Sequence, residues 1–244
     1  MATLSAVAEN SDSLRLVTAV REVVALPKGA EGYTVKRVNL FSSCQTISVI
    51  CYSPRRFSTE IVLPEKLTRL SATATKSGAD FGVNAGYWDV TNALPSTFLR
   101  IAGEQIAQTV EFEKERVDGL LCIGRRRVVI DGCKAGEEAS FAAKYANILA
   151  SGPVLIDEGK SVDHNAYTKN MVEASHGKDI GAYYTYVRRH PRTAIGTDKK
   201  GRVYLIVVDG RSAGNAEGVI NYPSRNKKFD HDGERRVSSI VMVK

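Results

Sequence analysis

The strongest constraint on the fold is an uninterrupted apolar segment, Val203-Tyr204-Leu205-Ile206-Val207-Val208. A run of this kind is typical of a strand that is covered on both faces, in the interior of a sheet. Alternating apolar and polar residues predict strands at Thr34–Leu40 and Thr46–Cys51. Further short segments predict strands at Phe81–Asn84, Gly119–Ile123, Val128–Asp131, Val154–Ile156, Thr193–Thr197 and Val237–Val243. We therefore expect a mixed α+β (α/β) fold, a single domain with a large mixed sheet flanked by helices.

Two helices and one hairpin are predicted between these strands. After Pro64, apolar residues recur at helical spacing up to Gly78, a residue type that often ends helices. From Glu137 to Leu149 the apolar spacing predicts the clearest amphipathic helix of the chain, and its acidic start suits the positive end of a helix dipole. Residues 125–127, all arginine, are expected in the turn of a hairpin.

The charge balance favours anionic partners without naming one. The 244 residues include 34 Lys and Arg against 27 Asp and Glu, a net charge of +7. The basic residues are scattered and aromatic residues make up only 7%, so we do not expect a nucleic-acid binder. No apolar run approaches the roughly 20 residues that span a bilayer, which excludes a membrane-spanning segment.

The cysteines do not predict a structural zinc site, because Cys44, Cys51, Cys122 and Cys133 include no C-x-x-C pair. Two alternatives stay open for them. They are buried reduced thiols, or they form two disulfides, for which Cys44 with Cys51 and Cys122 with Cys133 are the sequence-local pairings. The first ten residues lack the basic and apolar regions of a signal peptide, so we expect a cytoplasmic protein or a mature domain without its leader.

Four segments place polar residues and a glycine or proline beside an apolar strand. They are Asn84-Ala85-Gly86-Tyr87-Trp88-Asp89, Ser151-Gly152-Pro153, His190-Pro191-Arg192-Thr193 and Asp209-Gly210-Arg211-Ser212. Loops at strand ends often carry binding and catalytic residues. Each segment by itself also fits an ordinary turn, because Asn, Asp and Gly favour turns.

Taken in order, these segments resemble a known family. The motifs N-A-G-Y-W-D, S-G-P-V-L, H-P-R-T-A-I-G, V-V-D-G-R-S, N-Y-P-S and E-R-R-V-S are similar to those of the phosphodiester glycosidases, from about Val35 to the C-terminus. The resemblance implies an extracytoplasmic α/β domain, secreted, periplasmic or at the cell surface. It also implies a hydrolase that cleaves a sugar-1-phosphate diester on the sugar side, releasing free sugar and a phosphomonoester, with a phosphorylated carbohydrate or cell-surface glycan as partner.

Within that resemblance, arginines are the candidates for phosphate binding, because the planar guanidinium can hold two phosphate oxygens at once. Arg192 and Arg211 come first and Arg235 third, although Arg235 fits a structural ion pair equally well. Residues expected to position the substrate are Asn84, Ser151, Gly152, Thr193 and Gly210.

Carboxylates are the candidates for stabilising or trapping an oxocarbenium-like sugar. Asp209 is the leading candidate, followed by Glu234 and Asp89, and His190 is a further catalytic candidate. The alternatives are structural: Asp209 would accept backbone N–H groups in a turn, and His190, held extended by the following proline, would only connect a loop to a strand.

Cofactor use stays open. No cofactor is expected, but acidic strand-end loops could hold a divalent cation through oxygen ligands, and no calcium-loop motif is present to decide. The sequence does not predict an oligomeric state. We expect residues 1–33 to form an N-terminal extension or arm and residues 34–244 the phosphodiester glycosidase-like domain, with a polar excursion over residues 161–190.

One family segment has no counterpart in this chain. Phosphodiester glycosidases carry a helix and a glycine-rich N-L-D-G-G-G-S type motif between the D-G-R and N-x-P-S motifs, whereas here Gly218 is followed directly by Val219. A segment missing from the recorded sequence, a true deletion and a divergent site are the three explanations, and we expect the first. If the segment is truly lost, the alternative function is a non-catalytic domain that binds a sugar phosphate or glycan.

Overall fold

The computed structural model describes residues 11–40, 43–89, 91–162, 191–209, 236–237 and 239–244. Within them the fold is a mixed α+β structure dominated by strands, as predicted. The strands are β1 (Glu22–Val23), β2 (Ala30–Leu40), β3 (Ser43–Tyr52), β4 (Thr59–Val62), β5 (Thr68–Arg69), β6 (Phe81–Ala85), β7 (Leu99–Ile101), β8 (Glu104–Ala107), β9 (Gly119–Gly124), β10 (Arg127–Gly132), β11 (Asn147–Ser151), β12 (Ile156–Asp157), β13 (Lys160–Ser161), β14 (Arg192–Thr197), β15 (Val203–Val208), β16 (Arg236–Val237) and β17 (Ser239–Val243).

Among the described residues these strands are divided among several sheets instead of the one large mixed sheet that the sequence predicts, and every paired strand is antiparallel to its neighbour. One five-stranded sheet has the order β1-β2-β3-β15-β14, and a second has the order β10-β9-β11-β7-β8. Strands β4, β17 and β6 form a three-stranded sheet with β17 at its centre. The remaining pairs among the described strands are β12 with β13 and β16 with β5.

The largest hydrophobic cluster lies where the two five-stranded sheets and the three-stranded sheet face one another. Leu205 from the first sheet, Leu121 and Leu149 from the second, and Val83 and Val241 from the third all belong to it and are at most 6% exposed. Burying such side chains is worth about 1.5–3 kcal/mol each. Burial of this shared cluster therefore holds the three sheets together.

Strands β9 and β11 of the second sheet are covered on both faces, which explains their continuous apolar runs. Leu121 and Leu149 face the shared cluster, while Leu120, Cys122 and Ile148 belong to a second cluster behind the sheet. Successive strand residues point to opposite faces, so a strand buried on both sides needs apolar residues at every position.

In the described part of the chain, two α-helices pack on the outside of the sheets. Helix α1 covers residues 11–18 and contacts the outer side of β2 through a cluster that contains Leu16 and Val35. Helix α2 (Leu70–Ser77) ends at Gly78, which has φ of 65° and donates its backbone N–H to carbonyl groups of the last turn. The predicted glycine stop is therefore confirmed, while the segment before Leu70 is not helical and contains β5. No helix in the described part of the chain is long and apolar enough to cross a membrane.

The amphipathic helix predicted from Glu137 to Leu149 is wrong. A short 3-10 helix (Glu138–Phe141) is followed by an irregular segment and then by β11, a central strand of its sheet. Ile148 and Leu149 are buried because they lie on the two faces of a doubly covered strand. The apolar residues that gave this segment a helical spacing include two that a strand buried on both faces requires, so the spacing alone did not distinguish a helix from a strand.

The predicted hairpin is confirmed, but Arg127 is the first residue of β10 and does not belong to the turn. β9 and β10 pair from Gly124 with Arg127, which leaves Arg125 and Arg126 as the two-residue turn.

Two buried cysteines lie near this hairpin. Cys122, on β9, and Cys133, just after β10, are free thiols in the same buried cluster. Burial is the largest cause that raises the pKa of Cys122 to about 12 and that of Cys133 to about 11, so both stay protonated at neutral pH.

Candidate active site

Asn84 connects two sheets through one short hydrogen bond. It lies on β6 with an exposed side chain, and its Oδ1 accepts a hydrogen bond of 2.6 Å from the hydroxyl of Thr193 on β14. The two residues are 109 positions apart in the chain. Because Oδ1 is engaged, the Nδ2 group of Asn84 remains as the donor that this amide can offer to a ligand.

The end of β6 is held by a buried serine. Ser239, 1% exposed, donates from its hydroxyl to the carbonyl of Ala85 at 2.6 Å. Gly86, the residue after Ala85, has φ of 60°, and a Cβ there would lie 3.2 Å from the Ser239 hydroxyl oxygen. Both the backbone conformation and the close approach favour glycine at this position.

Arg192, Thr193 and Asp209 lie together at one end of two neighbouring strands. Arg192 pairs with Val208 and Thr193 with Val207, so Asp209 follows directly after the last paired residue of β15. The backbone N–H of Asp209 donates to the carbonyl of Thr46 at 2.9 Å, which continues the pairing with β3. Neighbouring strands are about 4.8 Å apart, so this register places Arg192 and Asp209 at the same end of β14 and β15.

The pKa of the Asp209 carboxyl group is raised, although the residue is exposed. Although it is exposed at the strand end, the protein around its carboxyl group partly removes water, and this desolvation raises its pKa above the ordinary value. Once ionised, a partly desolvated carboxylate interacts more strongly with developing positive charge than a fully solvated one does.

Tyr87 joins this end of β6 to the end of β11. Its hydroxyl donates to the carbonyl of Gly152 at 3.0 Å, and the guanidinium of Arg116 lies 5.5 Å from its ring centroid. Burial raises the pKa of Tyr87, while the positive charges of Arg116 and Arg192 act in the opposite direction. Arg192 is therefore close enough to Tyr87 for its charge to act on the pKa of that hydroxyl.

Gly152 is the closest backbone approach in the region. A Cβ on this residue would lie 2.2 Å from the carbonyl oxygen of Arg116 and 2.6 Å from Oδ1 of Asp118. The same Asp118 oxygen accepts the N–H of Val154 at 2.8 Å, and the Gly152–Pro153 peptide bond is cis. Ser151, the preceding residue, ends β11 by pairing with Gly119.

A buried ion pair lies beneath the tyrosine, and sequence patterns did not single it out. Glu113 is 3% exposed, its Oε2 lies 3.1 Å from the guanidinium of Arg116, and its Oε1 accepts the hydroxyl of Ser96 at 3.0 Å. Burial raises the pKa of Glu113, and the Arg116 charge and the Ser96 hydrogen bond oppose that rise. The only sequence signal for this pair is its i, i+3 spacing in the 3-10 helix Glu111–Arg116.

Asp89 is placed in a turn. Its Oδ1 accepts the N–H of Thr91 at 2.8 Å, and its backbone N–H donates to the carbonyl of Leu94. The carboxylate therefore has a local partner, which is the ordinary role of aspartate in turns. A catalytic role for Asp89 stays a prediction.

The structure thus brings together the predicted residues Asn84, Arg192, Thr193 and Asp209, and it connects Ser151 and Gly152 to them through Tyr87. The other predicted site residues lie outside the described part of the chain: His190, Gly210, Arg211, Glu234 and Arg235. Among the described residues, no group of three or more His, Cys, Asp or Glu side chains is arranged to hold a metal ion.

An antiparallel α+β fold with polar side chains gathered at strand ends is typical of ligand-binding and catalytic domains. The sequence profile of the phosphodiester glycosidase family matches residues 77–223, which include every described member of this cluster. The chain therefore belongs to the phosphodiester glycosidase family. No match is found among proteins with curated functional descriptions.

Two solved structures share the fold. The catalytic domain of zebrafish N-acetylglucosamine-1-phosphodiester alpha-N-acetylglucosaminidase, auto-inhibited by its pro-peptide, superposes with a TM-score of 0.61 at 16% sequence identity, over 93% of this chain and 88% of that one. A hypothetical protein from Synechocystis superposes with a TM-score of 0.59 at 12% identity, over 93% of this chain and 64% of that one. This chain therefore spans a little under two thirds of the Synechocystis protein.

Proposed function

We propose that this protein is a hydrolase that cleaves a glycosyl-1-phosphodiester on the sugar side. Water adds to the anomeric carbon, the bond from that carbon to the phosphate oxygen breaks, and its electrons leave with the phosphate, giving free sugar and a phosphomonoester. The observation that carries the proposal is the meeting of Asn84, Arg192, Thr193 and Asp209 at adjoining strand ends in a phosphodiester glycosidase.

Each of these residues suits one part of the reaction. Arg192 would bind the phosphate, whose departure requires positive charge more than a proton. Asp209 would stabilise the oxocarbenium-like sugar that forms as the bond breaks. Asn84, with its amide oriented by the Thr193 hydroxyl, would donate from Nδ2 to an oxygen of the substrate. The family resemblance also supports an extracytoplasmic location, where phosphorylated surface glycans are available.

The test is release of free sugar from a model sugar-1-phosphate diester. Arg192→Ala and Asp209→Ala should each abolish turnover while the thermal unfolding transition stays cooperative. Arg55→Ala and Asp157→Ala remove the same charges from exposed positions elsewhere and should keep full activity. If Arg192→Ala and Asp209→Ala kept full activity, the site assignment would be wrong.

A second candidate function rests on the missing segment between Gly218 and Val219. A domain that has lost the glycine-rich motif would bind a sugar phosphate without hydrolysing it, and calorimetry would record saturable binding without sugar release. The intact mass of the purified protein separates the two. A mass several kilodaltons above 26.6 kDa supports the hydrolase, and a mass of 26.6 kDa supports the binding domain.

A further inference from the structure

An open cavity with polar and apolar walls lies at the end of β11 opposite to the candidate active site. It has a volume of about 400 Å³. Its walls come from the β9–β10 turn with Arg125, the segment before β11 with Lys144 and Tyr145, the first residue of β11, Asn147, and Ser58 just before β4.

Strand direction separates this cavity from the candidate active site. Ser151, at one end of β11, pairs with Gly119 on β9 and leads into Gly152 of the candidate active site. Asn147, at the other end of β11, pairs with Ile123 and lines the cavity. Four residue steps along a strand correspond to about 13 Å, so the cavity and the candidate active site lie at opposite ends of β11.

The cavity wall carries positive charge without an acidic neighbour in the wall. Arg125 and Lys144 are its two cations, and none of the lining residues is Asp or Glu. Within the described part of the chain neither cation forms an ion pair. Both are exposed, so both can reach an anion in the cavity.

Neutral donors lie beside these cations. Asn147 uses its Oδ1 to accept the N–H of Ala102 at 2.8 Å, which leaves its Nδ2 group as a donor. The Tyr145 hydroxyl accepts a hydrogen bond from Arg127, whose guanidinium lies 5.7 Å from the ring centroid, so this tyrosine is held in place with its own O–H available. Ser58 adds a hydroxyl to the opposite wall.

We propose that this cavity is a second binding site, for a phosphorylated sugar. Arg125 and Lys144 bind the phosphate through charge-assisted hydrogen bonds. Asn147, Tyr145 and Ser58 form hydrogen bonds with the sugar hydroxyls. A volume of about 400 Å³ is within the range of small-molecule sites and accommodates a monosaccharide phosphate. Binding here does not require turnover at the candidate active site.

The experiment is a titration of the ¹⁵N-labelled full chain with glucose 6-phosphate, inorganic phosphate and glucose, followed by amide chemical shifts and by calorimetry. We expect saturable shifts at the amides of Gly124, Ala146 and Asn147. Removing both cations, as Arg125→Gln with Lys144→Gln, should weaken glucose 6-phosphate binding roughly tenfold or more. The charge-matched control, Lys66→Gln with Lys160→Gln, changes exposed residues elsewhere and should not weaken it.

Arg192→Ala separates this proposal from the proposed hydrolase, because it should abolish turnover and leave the shifts at Gly124 and Asn147 unchanged. Three outcomes would overturn the second site. They are no saturable shift at these amides with millimolar glucose 6-phosphate, equal loss of affinity in the test and control double variants, and inorganic phosphate binding as tightly as the sugar phosphate.

Discussion

Replacing Gly152 with alanine tests the closest contact of the candidate active site. The new Cβ would lie 2.2 Å from the Arg116 carbonyl oxygen, more than 1 Å shorter than an ordinary van der Waals contact. It would also lie 2.6 Å from Oδ1 of Asp118, an oxygen already engaged by the N–H of Val154. The backbone around Gly152 must therefore move away from residues 116–118.

The cost of that movement follows from the contacts it disturbs. Overpacking typically costs about 1–3 kcal/mol, and weakening the hydrogen bonds of Tyr87 to Gly152 and of Val154 to Asp118 adds about 0.5–1.5 kcal/mol each. A total near 3 kcal/mol lowers Tm by about 6–12 °C in a chain of this size. Because Tyr87 is displaced as well, sugar release from the model phosphodiester should also fall.

The matched control is Gly132→Ala at the end of β10. No heavy atom lies within 4 Å of a Cβ at Gly132, and its φ is not in the left-handed region. The same substitution there should leave stability unchanged or raise it by up to about 1 kcal/mol. Equal Tm values for Gly152→Ala and Gly132→Ala would refute the close approach on which this reasoning depends.

Three further variants probe single interactions. Thr193→Val removes the hydroxyl bound to Asn84 and should destabilise the fold by about 0.5–1.5 kcal/mol and lower kcat/KM, whereas Thr197→Val on the same strand should do neither. Tyr87→Phe removes the bond to the Gly152 carbonyl and should lower Tm measurably; an unchanged Tm would contradict that bond. Asp209 has a raised pKa, so the folded chain binds its proton more tightly than the unfolded chain, and unfolding free energy falls as pH rises above about 3.8 towards the raised value. Asp209→Asn should remove that fall in urea titrations at several pH values, and an unchanged pH dependence would contradict the desolvated carboxyl.

Local patterns predicted most of the strands because their cause is local. The run of residues 203–208 became β15, an interior strand, and the arginines of residues 125 and 126 became a hairpin turn. Val203 and Leu205 of β15 are buried but the other residues of this strand are only half-buried, so its predicted burial on both faces is realised only in part. The strand and the turn still follow from the residues themselves, because β-branched apolar residues favour strands and a charged pair is stable in a solvated turn.

The segment from Glu137 to Leu149 shows that a local pattern can predict the wrong element. Its apolar spacing is that of a helix, yet Ile148 and Leu149 pair with residues of β7 and β9, far away in sequence. Glu138, expected at a helix start, is instead 3% exposed and accepts hydrogen bonds from Thr109 and Gly136. Tertiary burial on two faces outweighed helical propensity, which is a weak preference by comparison.

The sequence by itself determined the strand-rich fold class, the order of the family motifs and the residue types available for chemistry. Only the tertiary structure decided which strand ends meet. The bonds from Thr193 to Asn84 and from Tyr87 to Gly152 join residues 109 and 65 positions apart, and they depend on sheet pairing that no local pattern encodes. The ion pair of Glu113 with Arg116 gained its place beneath Tyr87 in the same way, because antiparallel register and shared burial, rather than nearness in the chain, set the neighbours of each side chain.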